Sequence, residues 1–301
     1  MVMKRCIYMV MFLLVLVGCG KLGKDGRIKK QIDYSDWYFD DASQDSQKPG
    51  VMVMSFNIRY LSGEDTGVKA WENRRNGCYE MLNTLRPALV GLQECQGSQR
   101  ADLEINAPDY GFVGVSRDGS INGEQMAIMY LKDSVSVQEW GTFWLTDTPD
   151  VVSKHPSAGN YRCATWARVR HNRTSAEFYF IDTHLDLVDD IRRYEMFVIL
   201  DFIAGKCGEQ PVVMTADWNE NEDSDTFTEM YQTFSNARWT ARTGDAYGTY
   251  SGFTNMNSST KIDHIFYRGF SACAKFVTVR QKWAGYQFIS DHFPVYANLK
   301  F

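Results

Sequence analysis

Seven stretches of the chain are apolar and rich in β-branched residues, and each abuts polar side chains. They are VMVMSFNIR from Val51, ALVGLQE from Ala88, QMAIMYL from Gln125, EFYFIDTHLD from Glu177, PVVMTADWN from Pro211, KIDHIFY from Lys261 and SDHFPVYANLKF from Ser290. Runs of this kind predict strands buried on both faces or nearly so. Between them, residues 71–85 (WENRRNGCYEMLNTL) and 190–207 (DIRRYEMFVILDFIAGKC) carry helical spacing. In the second, Tyr194, Phe197, Val198, Leu200, Asp201 and Ile203 outline the face expected to pack. Strands that alternate with helices, some joined directly, predict a mixed α/β sheet system with helices packed outside. No repeat of solenoid type is visible.

The polar residues fall at the same end of successive runs. Asn57 ends the first, Glu94 the second, Asp182 and His184 the fourth, and Asp217 with Asn219 the fifth. In a sheet such ends gather along one rim, a usual place for a site in open α/β sheets. Asp291 and His292 begin the last run, so an antiparallel terminal strand would deliver them to the same rim. Asp263 sits among Ile262, Ile265 and Phe266, where an unpaired carboxylate is costly. Taken singly, an Asn or Asp at a strand end is explained by turn formation and a lone His by a structural hydrogen bond. Their convergence points to chemistry.

Glu94 is a hard oxygen donor suited to Mg²⁺, with Mn²⁺ or Ca²⁺ as substitutes. Asp217 and Asn219, one residue either side of Trp218, are expected to face a ligand together while the indole packs the other way. Asn57 and His184 can donate to phosphate oxygens. His292 can take a proton from water if Asp263 fixes its tautomer; the other reading has His292 only steadying the phosphate. The substrate class these groups suit is a phosphoester.

Residues 1–18 place Lys4 and Arg5 before an apolar run from Ile7 to Val17, then LVGC ending on Cys19. That run is too short to span a bilayer and has the layout of a secretory signal. Its end resembles a bacterial lipoprotein signal, which implies cleavage before Cys19 and lipidation of that thiol. An ordinary signal peptide with an incidental cysteine is the other reading. Residues 19–50 mix charge, Gly, Ser and Gln and read as a tether, leaving residues 51–301 for one domain. The remaining cysteines, Cys78, Cys95, Cys163, Cys207 and Cys273, are odd in number and without CxxC spacing, so buried thiols are expected, with at most one or two bridges. Loss of Lys4 and Arg5 takes the formal charge from −5 to −7, which argues against a broad nucleic-acid surface.

In this order and spacing, SFNIR, VGLQE, IDTHLD, TADWNE, KIDHIF and SDHFPV resemble the motif set of the endonuclease/exonuclease/phosphatase family of metal-dependent phosphoesterases. AWENRR, GEQMAIMY, GTFWLTDTP and YRCATWARV further resemble a secreted bacterial branch of it. The resemblance covers residues 50–301. It implies a four-layered α/β sandwich of two packed sheets flanked by helices, with the site at one rim. It assigns Glu94 to the metal, Asn57, His184, Asp217 and Asn219 to orienting phosphate and attacking water, and Asp263, His292 and Asp291 to base and metal-shell roles. Arg59 stands where the DNA-repair branch has an acidic residue. Tyr161 and Arg162 lie where other members place a phosphate contact, and either can be the one that points inward. Trp71 and Arg74 read equally as a helix packing face. The expected protein is a monomeric, lipid-anchored, Mg²⁺-dependent phosphoesterase acting outside the cytoplasm on phosphorylated sugars or glycans, phospholipid head groups or, less favoured, nucleic acid. A non-catalytic envelope lipoprotein that uses the same rim to bind glycan or protein is the alternative class.

Overall fold

The computed structural model describes residues 50–301. The expected leader, Cys19 and all but the last residue of the tether lie outside them. The long apolar runs form the central strands: β1 (Gly50–Asn57), β2 (Leu89–Gln96), β4 (Glu124–Leu131), β7 (Glu177–His184), β8 (Val212–Asp217), β11 (Asp263–Arg268) and β13 (Val295–Lys300). Six further strands complete two mixed sheets: β3 (Tyr110–Val113), β5 (Val135–Trp144), β6 (Cys163–His171), β9 (Ser235–Asn236), β10 (Ala241–Thr243) and β12 (Ala272–Thr278). The first sheet runs β10-β12-β13-β1-β2-β4-β3 and the second β5-β6-β7-β8-β11-β9. The last run is strand only from Val295, and residues 290–294 reach the rim outside any strand, through a bend and an isolated bridge between His292 and Tyr250.

The sheets pack face to face through Val53, Leu89, Ile128, Phe178, Phe180, Val213, Ile265 and Val295, which exclude water from the middle of the sandwich. Across it, β1 lies against β8 and β2 against β7. β1 runs parallel to β2, and β7 parallel to β8, so the C-terminal ends of all four strands meet at one rim. β11 is antiparallel to β8, with Asp263 opposite Asp217, and β13 is antiparallel to β1. This topology is the four-layered sandwich expected from the sequence.

Helix α1 (Trp71–Leu85) and helix α2 (Gly97–Asn106) flank the first sheet. Helix α3 (Asp189–Phe202), followed by a π-helical turn (Ile203–Cys207), packs Met196, Ile199 and Ile203 on Ile181, Leu185 and Met214 of the second. A one-turn helix, α4 (Ala237–Thr240), completes the set. The buried face of α3 is not the one its apolar residues outline. Ile191, Arg192, Glu195, Met196 and Ile199 are buried, whereas Phe197 is half exposed. The difference has a chemical cause: Arg192 pairs with Glu220 at 2.8 Å, and Glu195 Oε2 accepts from the Asp186 N–H at 2.8 Å. Arg192 and Glu195 thus occupy the inward face, each hydrogen-bonded to residues of the rim loops. The five described cysteines are all buried and unbridged, the reading as small apolar residues.

Candidate active site

Asn57 is the last residue of β1, fully buried, and its carbonyl accepts from Ser290 Oγ at 2.7 Å. Its Nδ2 donates to Glu94 Oε1 at 3.0 Å and to Asp217 Oδ2 at 2.9 Å, so one amide joins carboxylates from two sheets. Glu94 lies where the pairing of β2 with β4 slips between Leu92 and Cys95, and its φ is +61°. A bulge re-aims a side chain, and a non-glycine residue held in left-handed backbone marks strain of the kind that clusters at functional sites. Here it turns the carboxylate out to the rim, where Oε2 accepts from the Tyr60 N–H at 3.0 Å.

Asp217 is the hub. Its Oδ2, besides the Asn57 contact, lies 3.5 Å from His184 Nε2 and 3.5 Å from His292 Nε2. Burial pushes its pKa up to about 7; the His292 charge and the N–H groups of Asn219 and Asn57 oppose this, and Asp263 adds to it. On the far side of His292, Nδ1 meets Asp263 Oδ2 at 2.9 Å, the pairing the embedded carboxylate called for. Burial alone would lower the His292 pKa, but the charges of Asp263 and Asp217 outweigh it and hold the ring well above its usual value. His292 is therefore an imidazolium at neutral pH.

His184 is the opposite case. Burial, then the charges of Arg162 and Arg117, hold its pKa well below the usual value and keep it neutral. Asn219 Nδ2 donates to the Leu185 carbonyl at 2.8 Å and lies 3.0 Å from His184 Nε2, which makes Nε2 the acceptor and leaves the ring proton on Nδ1. Asn219 does not reach the site by pleat alternation. β8 ends at Asp217, and Asn219, with φ +51°, donates its own N–H to Asp217 Oδ1 at 3.0 Å in an Asx turn. Trp218 packs away as expected, buried edge-on to Phe227 and Phe266, with Nε1 donating to the His264 carbonyl.

Asp182 does not belong to the rim. Two residues before His184 on the same face of β7, it lies one step deeper, between the sheets, where Oδ1 accepts from Gln93 Nε2 at 2.6 Å and Thr215 Oγ1 at 2.8 Å. Burial raises its pKa well above the usual value, against the hydrogen bonds from Thr215 and Gln93. Gly91 is needed there, because a Cβ would fall 2.1 Å from Asp182 Oδ1.

Asp291 reaches the rim with Oδ2 3.6 Å from Arg59 Nη1, and Arg59 is also held by Asp65 at 3.0 and 3.3 Å. Burial and the nearby Glu94 charge raise the Asp291 pKa, against His292 and Arg59. Of the Tyr161 and Arg162 pair, Arg162 is the buried one, while Tyr161 is 38% exposed. Arg74 is a clamp: it is fully buried and donates to the carbonyls of Ile58, Arg59 and Ile289, locking the end of β1 to the segment before Asp291. Trp71 donates from Nε1 to Asp102 at 2.8 Å. Sequence reasoning missed Arg117, Glu124 and Asp186, which lie in loops or at a strand start; Arg117 falls in no motif, and Glu124 was quoted only within GEQMAIMY. The only signal for Asp186 was its place in THLD, just past His184.

Glu94, His184 and Asp217 each offer a ligand atom within 4.8 Å of the others. Two carboxylates at a partly exposed rim, one aimed there by a strained backbone, suit a hard divalent cation such as Mg²⁺. Asp217, Asp263 and His292 are equally close, but a protonated His292 has no lone pair to give a cation.

A four-layered sandwich with a carboxylate, amide and imidazole rim of this kind is the architecture of a family whose members are phosphoester hydrolases. The chain belongs to the endonuclease/exonuclease/phosphatase family, whose model matches residues 54–292. It is similar to the crystal structure of an endonuclease/exonuclease/phosphatase from Bacteroides vulgatus, with 30% identity and TM-score 0.77 over 84% of this chain and 99% of that one. A family protein from Bacteroides thetaiotaomicron gives 27% identity and TM-score 0.80 over 85% and 99% of the two chains. A mannosyl-6-phosphatase from the same organism gives 28% identity and TM-score 0.77 over 83% and 100%.

Proposed function

We propose that the protein is a divalent-metal-dependent phosphoesterase that hydrolyses phosphorylated sugars or glycans outside the cytoplasm, anchored through Cys19. The observation that carries the reading is Asp217, a buried carboxylate in contact with Asn57 and facing both His184 and His292, with Glu94 joined to it through the Asn57 amide. The likeness to a mannosyl-6-phosphatase supports a sugar phosphate, and the acidic charge balance supports it over long nucleic acid.

In the proposed mechanism Glu94, with Asp217 beside it, would hold the cation, which would polarise a phosphoryl oxygen and offset developing negative charge. Asp217 orients the attacking water and takes its proton as the new P–O bond forms; Asn57 and Asn219 fix the geometry of that carboxylate. His292, already protonated, donates to a phosphoryl oxygen and stabilises the charge that grows there. The ester oxygen departs with the bonding pair and takes a proton from solvent. Arg74 keeps the Asn57 and Asp291 segments in register.

A panel of sugar phosphates, phosphocholine-type head groups and dinucleotides, assayed with Mg²⁺ and with EDTA, tests the reading. Metal-dependent release of phosphate from sugar phosphates is expected, with Glu94→Gln raising the metal requirement and lowering turnover together. Binding of a glycan or protein with no hydrolysis of any ester would make the rim a recognition surface instead. For the anchor, motivated by LVGC after a short apolar run, Cys19→Ala should move the protein from the membrane to the soluble fraction of a bacterial host. Mature, lipid-free wild-type protein in that host would count against Cys19.

A further inference from the structure

We infer that the cavity between helix α3 and the turn after β5 is a second binding site, for a small organic ammonium ion carrying alkyl or aryl groups. None of the residues that line it takes part in the proposed hydrolysis.

The helix supplies the first observation. Tyr194, Phe197, Val198, Asp201 and Phe202 fall at i, i+3, i+4, i+7 and i+8, one stripe of α3. The stripe overlaps the face expected to pack, yet Ile191, Met196 and Ile199 are the residues turned inward, and Phe197 stays half exposed. What the stripe faces is a cavity of about 500 Å³, bordered on its other side by Phe143 at the end of β5 and by Thr146, Asp147 and Pro149 of the following turn. A space of that size suits a small ligand. Phe143 and Phe202 stack at 4.0 Å, which joins the two walls. The turn is fixed as well: the Trp144 N–H donates to the Pro149 carbonyl at 2.9 Å and the Thr148 N–H to Thr146 Oγ1 at 3.1 Å. The walls are thus in place before a ligand arrives.

The second observation is the kind of polar group they offer. Asp147 and Asp201 are exposed carboxylates, and no Lys, Arg or His lines the cavity, although the His155 ring packs on Tyr194 at 4.7 Å. Among the described residues the Asp147 carboxylate accepts only from the Tyr194 hydroxyl, and Asp201 meets no cation. The hydroxyl donors of the lining are already used. Burial and the Asp147 contact push the Tyr194 phenol up to about 12, so it keeps the proton it gives to Asp147. Thr146 shares its hydroxyl with Ser153 at 2.6 Å. Aromatic surface and negative acceptors remain, with no free side-chain donor among the lining residues.

An anion would be repelled there, and a neutral sugar, whose hydroxyls both give and take hydrogen bonds, would find no side-chain donor for its oxygens. An alkylated ammonium meets every wall: its charge faces Asp147 and Asp201, its polarised C–H groups face the rings of Tyr194 and Phe197, and its body covers apolar surface. A lipid head group that carries such an ammonium also carries a phosphate, which the two carboxylates would oppose. The chemistry therefore favours a free small cation.

Isothermal titration of the full-length protein at pH 8 with choline, and with its uncharged isostere in which carbon replaces nitrogen, reads the site; saturating Mg²⁺ keeps the rim carboxylates from competing. Choline should bind with a dissociation constant on the order of 1 mM or below, about tenfold more tightly than the isostere, the joint effect of cation–π contact and a partly screened charge. Asp201→Asn and Phe197→Ala should each weaken choline binding by roughly three- to tenfold. Both side chains are exposed, so the variants should fold, and Asp147→Asn, which keeps an oxygen for Tyr194, is the third. Equal affinity for choline and its isostere, or choline binding that survives all three substitutions, overturns the site. Tighter binding of methyl mannoside than of choline would make it a sugar site, and sedimentation with phosphatidylcholine vesicles that Asp201→Asn abolishes would make it a head-group site; either result rejects the free cation.

Discussion

Asp217→Asn is expected to lower kcat on the best phosphoester by about 10²- to 10⁴-fold, the range a positioned proton acceptor contributes, with the circular dichroism spectrum unchanged. The asparagine keeps the volume and one oxygen, so the contact with Asn57 Nδ2 can persist, but it cannot take a proton and carries no charge for His292 to face. The pH profile separates this role from a merely structural one. Burial raises the Asp217 pKa to about 7, and the carboxylate is the active form, so wild-type kcat/KM should fall as pH drops through that value. A cation held at Glu94 favours the ionised form, so this acid limb should move to lower pH as Mg²⁺ is raised. Because Asp217 and His292 face each other, the limb belongs to the pair rather than to one group. In the Asn variant the residual activity should lose the limb. Turnover within about threefold of wild type would remove Asp217 from proton transfer, since general-base help is worth far more than that.

How much of this was legible in the sequence depends on what each residue does for the core. Strands β1, β2, β7, β8 and β11 are buried on both faces, so their apolar runs are continuous and their polar ends stand out. β5 has exposed positions in its middle, Gln138, Glu139 and Trp140, and a slip in its pairing with β6, which breaks the pattern a strand reading needs. α3 misled for a related reason. The inward Arg192 and Glu195 look like solvent-facing positions, and only the partners Glu220 and Asp186 show why they are inside. The rim residues Asn57, Glu94, His184, Asp217, Asp263 and His292 were readable because strand ends report location directly. The bulge that aims Glu94 and the depth of Asp182 were not, since both depend on which strand lies opposite. Arg117 could not be assigned at all: its place is set by Trp144, far along the chain.

The Asp263 and His292 pair gives the other large effect. His292→Ala should cost about 10²- to 10³-fold in kcat, the loss typical of one preorganised donor to a developing charge. Asp263→Asn should be milder in rate and more informative in pH. In the wild type, burial works against protonation of His292, and the Asp263 charge, then that of Asp217, overcomes it, so the ring stays protonated well above its usual range. Activity that needs the imidazolium should therefore persist into alkaline solution and fall only as pH rises through that raised value. Removing the Asp263 charge weakens the force that holds the proton, so the alkaline limb of kcat should move to lower pH while the acid limb set with Asp217 remains. Stability should follow the same sign. A raised histidine pKa contributes stability that is full below the unfolded-state value and is lost as pH climbs through the folded-state value. The melting temperature of Asp263→Asn should thus fall furthest below wild type in acid and neutral solution and approach it at high pH. NMR titration of the His292 ring in both proteins checks the cause directly. An alkaline limb that stays in place in Asp263→Asn, or a His292 ring that titrates near the ordinary histidine value in the wild type, would show that the two buried carboxylates do not hold the proton there.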